Sequence, residues 1–169
     1  MELTLRLMSE ADQPAIMAIQ QDAYEPRFQE DWDKLLDKLQ LHPAGCWVCS
    51  VGDEVVAYLF SHPSGYSSPP ALNRGMEKLP DSPDCYYIHD LSMLKARQGQ
   101  GIGRLLGAKA VELAIADRFP QMALIAVQRS EDFWSKLGFR PAEVSPEIAA
   151  KLRTYSEDAI YMRRGLPNE

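Results

Sequence analysis

Cysteine and histidine are scarce in this 169-residue chain, three of each. An odd cysteine count makes no closed disulfide framework. Cys46 and Cys49 have the spacing of a redox motif but lie in a β-patterned run. Residues i and i+3 of a strand face opposite sides, so these thiols read as structural. His42, His62 and His89 are scattered and match no zinc spacing, so no metal site is expected. No window holds about 18 uninterrupted apolar residues, which argues against a membrane-spanning helix. The opening run Met1-Glu-Leu-Thr-Leu-Arg6 lacks a cationic start followed by an apolar block. No secretion signal is therefore expected, and the cytoplasm is the expected location.

The chain is 46% hydrophobic and 25% charged, values of a globular protein, and its length suits one domain over residues 1–169. Its formal net charge is −6, yet Lys95, Arg97, Arg104 and Lys109 fall between Asp90 and Glu112 with no acid among them. A cationic island on an acidic protein points to an anionic small ligand rather than nucleic acid. Within the island, Gln98, Gly99, Gln100, Gly101, Ile102, Gly103 and Arg104 follow an apolar stretch and open a helical pattern. Glycines admit close approach of backbone to ligand, and the free N–H groups of a helix's first turn bind phosphate oxygens. The dinucleotide fingerprint G-x-G-x-x-G/A fails in both registers, with Arg104 or Leu106 at the third position. No Gly-Lys-Ser/Thr exists for a P-loop.

Gln98, Gly101 and Gly103 do fill Gln/Arg-x-x-Gly-x-Gly/Ala. With the preceding strand Ile88-His-Asp-Leu-Ser-Met93, the segment resembles the acetyl-coenzyme-A motif of the GNAT acetyltransferase superfamily. The rest of the chain follows a compatible order. Leu3, Leu5 and Leu7 alternate as a first strand. Ser9 or Asp12 can cap a helix through about Tyr24, with Ile16, Ile19 and Ala23 inward. Phe28, Trp32, Leu35, Leu36 and Leu39 predict an amphipathic helix. Cys46–Val51 and Glu54–Phe60 flank the hairpin turn Gly52-Asp53. Ile102, Leu105, Leu106, Ala110 and Leu113 predict the inner face of the helix after the glycines. Met122–Val127 reads as a strand covered on both sides. Ser130–Leu137 reads as a short helix closed by Gly138, and Ala159–Arg163 as a last strand. This is an α/β (α+β) pattern, and the resemblance implies a mixed central sheet with helices on both faces, splayed between the fourth and fifth strands. His62 to Asp84 reads as a long irregular loop that can shape acceptor choice.

The resemblance also implies a site. Acetyl-CoA would be the acyl donor, with no metal. The pyrophosphate would lie on Gln98 to Arg104, and the splayed strand at Leu91, Ser92 and Met93 would offer its backbone to the acetyl and pantetheine. The Met93 N–H is the candidate for polarising the thioester carbonyl. Tyr87, His89, Leu91 and Met93 share strand parity, which aims His89 at the acetyl-binding side as general base. Imidazole titrates near pH ~6.5 when unperturbed, a useful value for that task. Asp90 points the other way unless the strand bulges, and is a further candidate for binding the amine or orienting the segment. Many members carry Phe-Tyr-Glu-Lys-Leu-Gly-Phe, whereas here the run is Phe133-Trp134-Ser-Lys-Leu-Gly-Phe139. Trp134 brings no acidic hydroxyl, so water, Tyr87, Ser130, Tyr155 or Tyr161 would protonate the leaving thiolate. Ser130 would also replace a missing Asn against the pantetheine arm, with Phe133 beside it.

Two functional readings follow: an N-acetyltransferase for a small-molecule primary amine, or an acyl-CoA-binding sensor or interaction module without useful turnover. A peptide or protein amine remains open as the acceptor. No nucleic-acid or membrane partner is expected, and an exposed C-terminal strand can pair in a homodimer.

Overall fold

A computed structural model describes residues 2–168. The strands are β1 (Leu3–Leu7), β2 (Cys46–Val51), β3 (Glu54–Ser64), β4 (Cys85–Met93), β5 (Gln121–Ala126), β6 (Arg140–Pro141) and β7 (Ile160–Gly165). The helices are α1 (Gln13–Ala23), α2 (Trp32–Leu41), α3 (Ile102–Ala116), α4 (Glu131–Lys136) and α5 (Pro146–Tyr155). Among the described residues the strands form a seven-stranded sheet in the order β1-β2-β3-β4-β5-β7-β6. Every pairing is antiparallel except β4·β5.

The alternation of strand side chains divides the core between the two faces. Ile16 and Ile19 of α1 and Leu35 and Leu39 of α2 cover Cys46, Val48, Tyr58 and Phe60. On the other face Ile102, Leu106 and Ala110 of α3 cover Cys49, Ala57, Leu59 and Ile88. Each fully buried Ile or Leu contributes about 1.5–3 kcal/mol. Cys46 and Cys49 thus sit on opposite faces, as their spacing predicts. Leu105, expected on the inner face of α3, is 37% exposed, because the helix meets the sheet along the 102, 106, 110, 114 stripe.

Other expectations shift by local contacts. The helix expected from Phe28 begins at Trp32; Pro26–Phe28 is a separate 3₁₀ turn. Between them Glu30 is held extended by Gln20, whose side-chain amide donates to Glu30 O and accepts from Glu30 N–H, both at 2.9 Å. β3 runs to Ser64, four residues past its expected end. Helix α5 lies outside the elements expected from the sequence pattern, although Ser145-Pro146 carries its signal: the Ser145 hydroxyl caps Ile148 N–H, with Pro at the first turn. The C-terminal strand β7 lies between β5 and β6 rather than at the sheet's edge. Among the described residues no helix is long and apolar enough to cross a membrane.

Two departures from regular sheet position the site. β4 and β5 pair only at Tyr86↔Met122, Tyr87↔Ala123 and Ile88↔Leu124, then part. The β3·β4 register also jumps, from Phe60↔Asp90 to Ser61↔Ile88, leaving His89 as an extra residue in a β-bulge. The loop 65–84 is stitched over α2 and α5. The Asn73 N–H donates to Glu30 Oε1, Tyr155 Oη donates to Pro70 O, and Lys151 Nζ donates to Pro69 O.

Candidate active site

The gap between β4 and β5 opens a cleft of about 790 Å³, bounded by α3 and α4. That volume is of the size that holds a cofactor. Leu94 N–H bonds Val56 O, so antiparallel alternation directs the backbone groups of Ser92 and Asp90 toward β3. Those of Leu91 and Met93 then face the gap. Of the residues expected to hold the donor, Leu91, Ser92 and Met93 line the cleft, as do Gln98, Gly99, Gly101, Ile102, Gly103 and Arg104. Ser130 and Phe133 line it from α4's side; Gln100 is exposed and does not.

The glycines have different tasks. Gly99 (φ +80°) and Gly101 (φ +84°) occupy left-handed backbone that permits the turn into α3, and the Cβ direction at each is open. Gly103 has no such φ. A Cβ there would lie 2.7 Å from Met93 Cε and 2.9 Å from Phe133 Cε1. It is small because β4, α3 and α4 converge on it. The α3 N-terminus, an open cradle at Gly99 and Gly101, and Arg104 together fit a pyrophosphate.

The bulge corrects the strand parity. Tyr86, Ile88, Leu91 and Met93 face α3, whereas Tyr87, His89 and Asp90 face the other side. His89 and Asp90 are neighbours on one face because the extra residue removes one alternation. Both line the cleft, while Tyr87 is buried among Cys85, Ala123 and Tyr161 and does not. The His89 side chain is 3% exposed, and its Nε2 lies 2.8 Å from Glu30 Oε2. Burial pushes the Glu30 carboxyl up, but His89, the Lys38 charge and the Asn73 N–H together outweigh it and hold the group below its ordinary value. An ionised carboxylate only accepts, so Nε2 carries the proton. The remaining nitrogen, Nδ1, is buried without a hydrogen-bond partner among the described residues.

Asp90 is the better-equipped carboxyl. Tyr24 Oη donates to its Oδ1 and Tyr58 Oη to its Oδ2, both at 2.7 Å. Burial, and secondarily the charge of Glu30, push its pKa up to about 6 against the lowering effect of His89 and the tyrosines. A carboxyl titrating there is suited to proton transfer near neutrality. The same burial pushes both tyrosine hydroxyls well above their ordinary value.

The candidates for protonating the thiolate separate. Tyr155 donates to Pro70 O and Tyr161 to Tyr66 O, and neither reaches the cleft. Ser130 lines it but donates to Val127 O at 2.8 Å. Tyr24 lines it with its hydroxyl on Asp90. Gln128, without a signal in the sequence, spans from the β5–α4 connection to the end of α1. Its Oε1 accepts from Glu25 N–H at 2.9 Å and its Nε2 donates to Ala23 O at 3.2 Å.

A split parallel pair, a bulged fourth strand and a glycine-led helix over the split define a class of acyltransferases. Residues 13–139 match the Acetyltransferase (GNAT) family, and the chain belongs to it. It is similar in fold to three solved structures. The loading GNATL domain of CurA from Lyngbya majuscula has a TM-score of 0.76 at 11% identity, over 98% of each chain. Ard1 from Thermoplasma volcanium has 0.72 at 19%, over 98% of this chain and 99% of that one. Arabidopsis thaliana Naa50, solved with a bisubstrate analogue of CoA, has 0.70 at 15%, over 98% and 100%. No curated protein sequence matches the chain.

Proposed function

We propose that this protein transfers an acetyl group from acetyl-CoA to the primary amine of a small molecule by direct attack in a ternary complex. The observation that carries this reading is the Asp90 carboxyl, fixed by two tyrosine hydroxyls on the wall of a cleft toward which the Leu91 and Met93 N–H groups turn. Acetyl-CoA supplies the activated acyl group as a thioester. The glycine turn, the first N–H groups of α3 and Arg104 hold its pyrophosphate. The Leu91 and Met93 N–H groups face the carbonyl oxygen as negative charge gathers on it. Asp90 accepts the ammonium proton, directly or through one water, and so frees the amine to attack. The proton taken up by Asp90 passes through the Tyr24 hydroxyl bonded to that carboxyl to the departing sulfur, and the second amine proton leaves to water. His89 acts through Glu30, fixing the bulge that presents Asp90. The aromatic wall at Tyr24 favours a compact acceptor.

The test is release of free thiol from acetyl-CoA across a panel of aryl- and alkylamines. Amine-dependent release that Asp90→Asn lowers at least 100-fold supports the reading. A second reading, an acyl-CoA-binding module without turnover, is favoured by Trp134, which lines the cleft without a titratable hydroxyl. Coenzyme binding with no thiol release for any amine, peptide amines included, would establish it instead.

A further inference from the structure

A second hollow, of about 200 Å³, lies between α2 and the loop 65–84 and shares no lining residue with the cleft. Its charged lining residues are Lys38, Arg74 and Lys78, with the hydroxyls of Ser64 and Ser68 beside them and no carboxylate. On a chain of net charge −6 this is a locally cationic wall.

Lys38 is its base. The residue is 1% exposed, and its ammonium donates to Arg74 O at 2.8 Å and Lys34 O at 3.3 Å. An ammonium has three N–H groups, so one remains unassigned. Among the described residues no carboxylate lies within 4.0 Å of it, and burial pushes its pKa down. The nearest acids are otherwise engaged. Glu30 accepts from Asn73 N–H and His89, and Asp37 Oδ2 accepts from Met76 N–H. A buried cation without a contacting counter-ion is costly. Ser64, 4% exposed, lines the same hollow and adds a hydroxyl to it. The Arg74 guanidinium is exposed at the rim and forms no ion pair among the described residues. Lys78 pairs with Asp81 at 3.7 Å and contributes only long-range charge.

We propose that this hollow binds a small oxyanion, a carboxylate or a phosphate. The Lys38 ammonium and Ser64 hydroxyl would donate from the floor and the Arg74 guanidinium from the rim. Two cationic side chains and a hydroxyl on the wall of one hollow, with no carboxylate among its lining residues, match an oxyanion. Asn73 adjoins Arg74 and bonds Glu30, so an anion bound here also ties the loop to the β4 bulge.

The test is thermal unfolding of the whole chain in inorganic phosphate, against chloride of equal ionic strength, with acetate and succinate in parallel arms. A ligand of the folded state raises the melting temperature with the logarithm of its concentration. The expected result is a phosphate- or carboxylate-dependent rise whose larger part is lost in Arg74→Ala and in Lys38→Met but kept in Arg104→Ala. The arms tell which oxyanion is preferred. Arg74 is exposed, so its variant folds even if Lys38→Met does not. No rise, or the same rise in wild type and Arg74→Ala, overturns the proposal; loss in Arg104→Ala alone assigns the anion to the coenzyme cleft.

Discussion

The imidazole of His89 meets the carboxylate of Glu30 at 2.8 Å, 59 residues away in sequence, with both side chains 3% exposed. Glu30 is thereby joined to the β4 bulge, to α1 through Gln20 and to the loop through Asn73. Its charge also opposes ionisation of Asp90. The other groups near that carboxyl are His89 on the same strand, Tyr24 just after α1, Tyr58 of β3 and Lys38 of α2. Glu30→Gln removes one negative charge and should move the rising limb of the pH–rate profile to lower pH, by roughly half a unit to one unit. Only a charge effect moves the limb; a purely structural role would lower the rate at every pH.

Asp90→Asn should lower kcat/KM by about 10²- to 10⁴-fold and abolish the limb near pH 6. The same variant should raise stability. The folded protein binds the Asp90 proton more tightly than the unfolded chain, so stability falls as pH rises from about 4 to about 6. Above that window the cost is constant, at most ~3 kcal/mol. Chemical denaturation at pH 8 should show a gain of about 1–3 kcal/mol that disappears by pH 4.

His62 works in the opposite sense. Burial, and secondarily the charge of His89, hold its pKa down to about 3, with Nδ1 donating to Pro63 O at 2.8 Å. The unfolded value is about 6.5. The neutral ring's contribution is therefore complete above pH 6.5 and is lost on acidification toward pH 3, at up to about 1.4 kcal/mol per pH unit. His62→Gln keeps a donor without titrating, and its stability should depend less steeply on pH across that window.

Gly101→Val and Gly103→Val should fail for different reasons. At Gly101 an L-residue must adopt φ +84°, which costs about 1–2 kcal/mol and distorts the turn proposed to hold the pyrophosphate. Coenzyme A should no longer raise its melting temperature, whereas wild type at 100 times the dissociation constant gains about 2.7 kcal/mol. At Gly103 the added side chain displaces Met93 and Phe133, so the apo protein itself should melt lower.

Gln128→Ala should raise KM for the acceptor by roughly 3- to 10-fold while leaving coenzyme affinity within about twofold. It removes two hydrogen bonds between α1 and the β5–α4 connection, each worth about 1 kcal/mol. Steady-state kinetics with each substrate varied in turn will separate the two constants. An equal loss of coenzyme affinity would place the bridge on the donor side.

The sequence by itself determined what depends on neighbours along the chain. Gln98 to Arg104 declared a backbone cradle ahead of a helix, because left-handed glycines and a helix's free N–H groups are local properties. The same holds for the split of Cys46 and Cys49 across the sheet and for the Gly52-Asp53 hairpin. The mixed sheet and the β4–β5 split followed from the family pattern carried by those residues, whereas the place of β7 between β5 and β6 did not. Only the tertiary structure decided which side chains meet. The parity that joined His89 to Leu91 and Met93 holds for an unbroken strand. Whether β4 keeps step depends on its partner β3, where one residue of Asp90, His89 and Ile88 has no opposite number. That bulge put Asp90 between Tyr24 and Tyr58 and turned His89 to Glu30. Register is set by two strands together, and a carboxylate's partners and titration are set by what burial brings within hydrogen-bonding distance; neither is a property of any one stretch of chain.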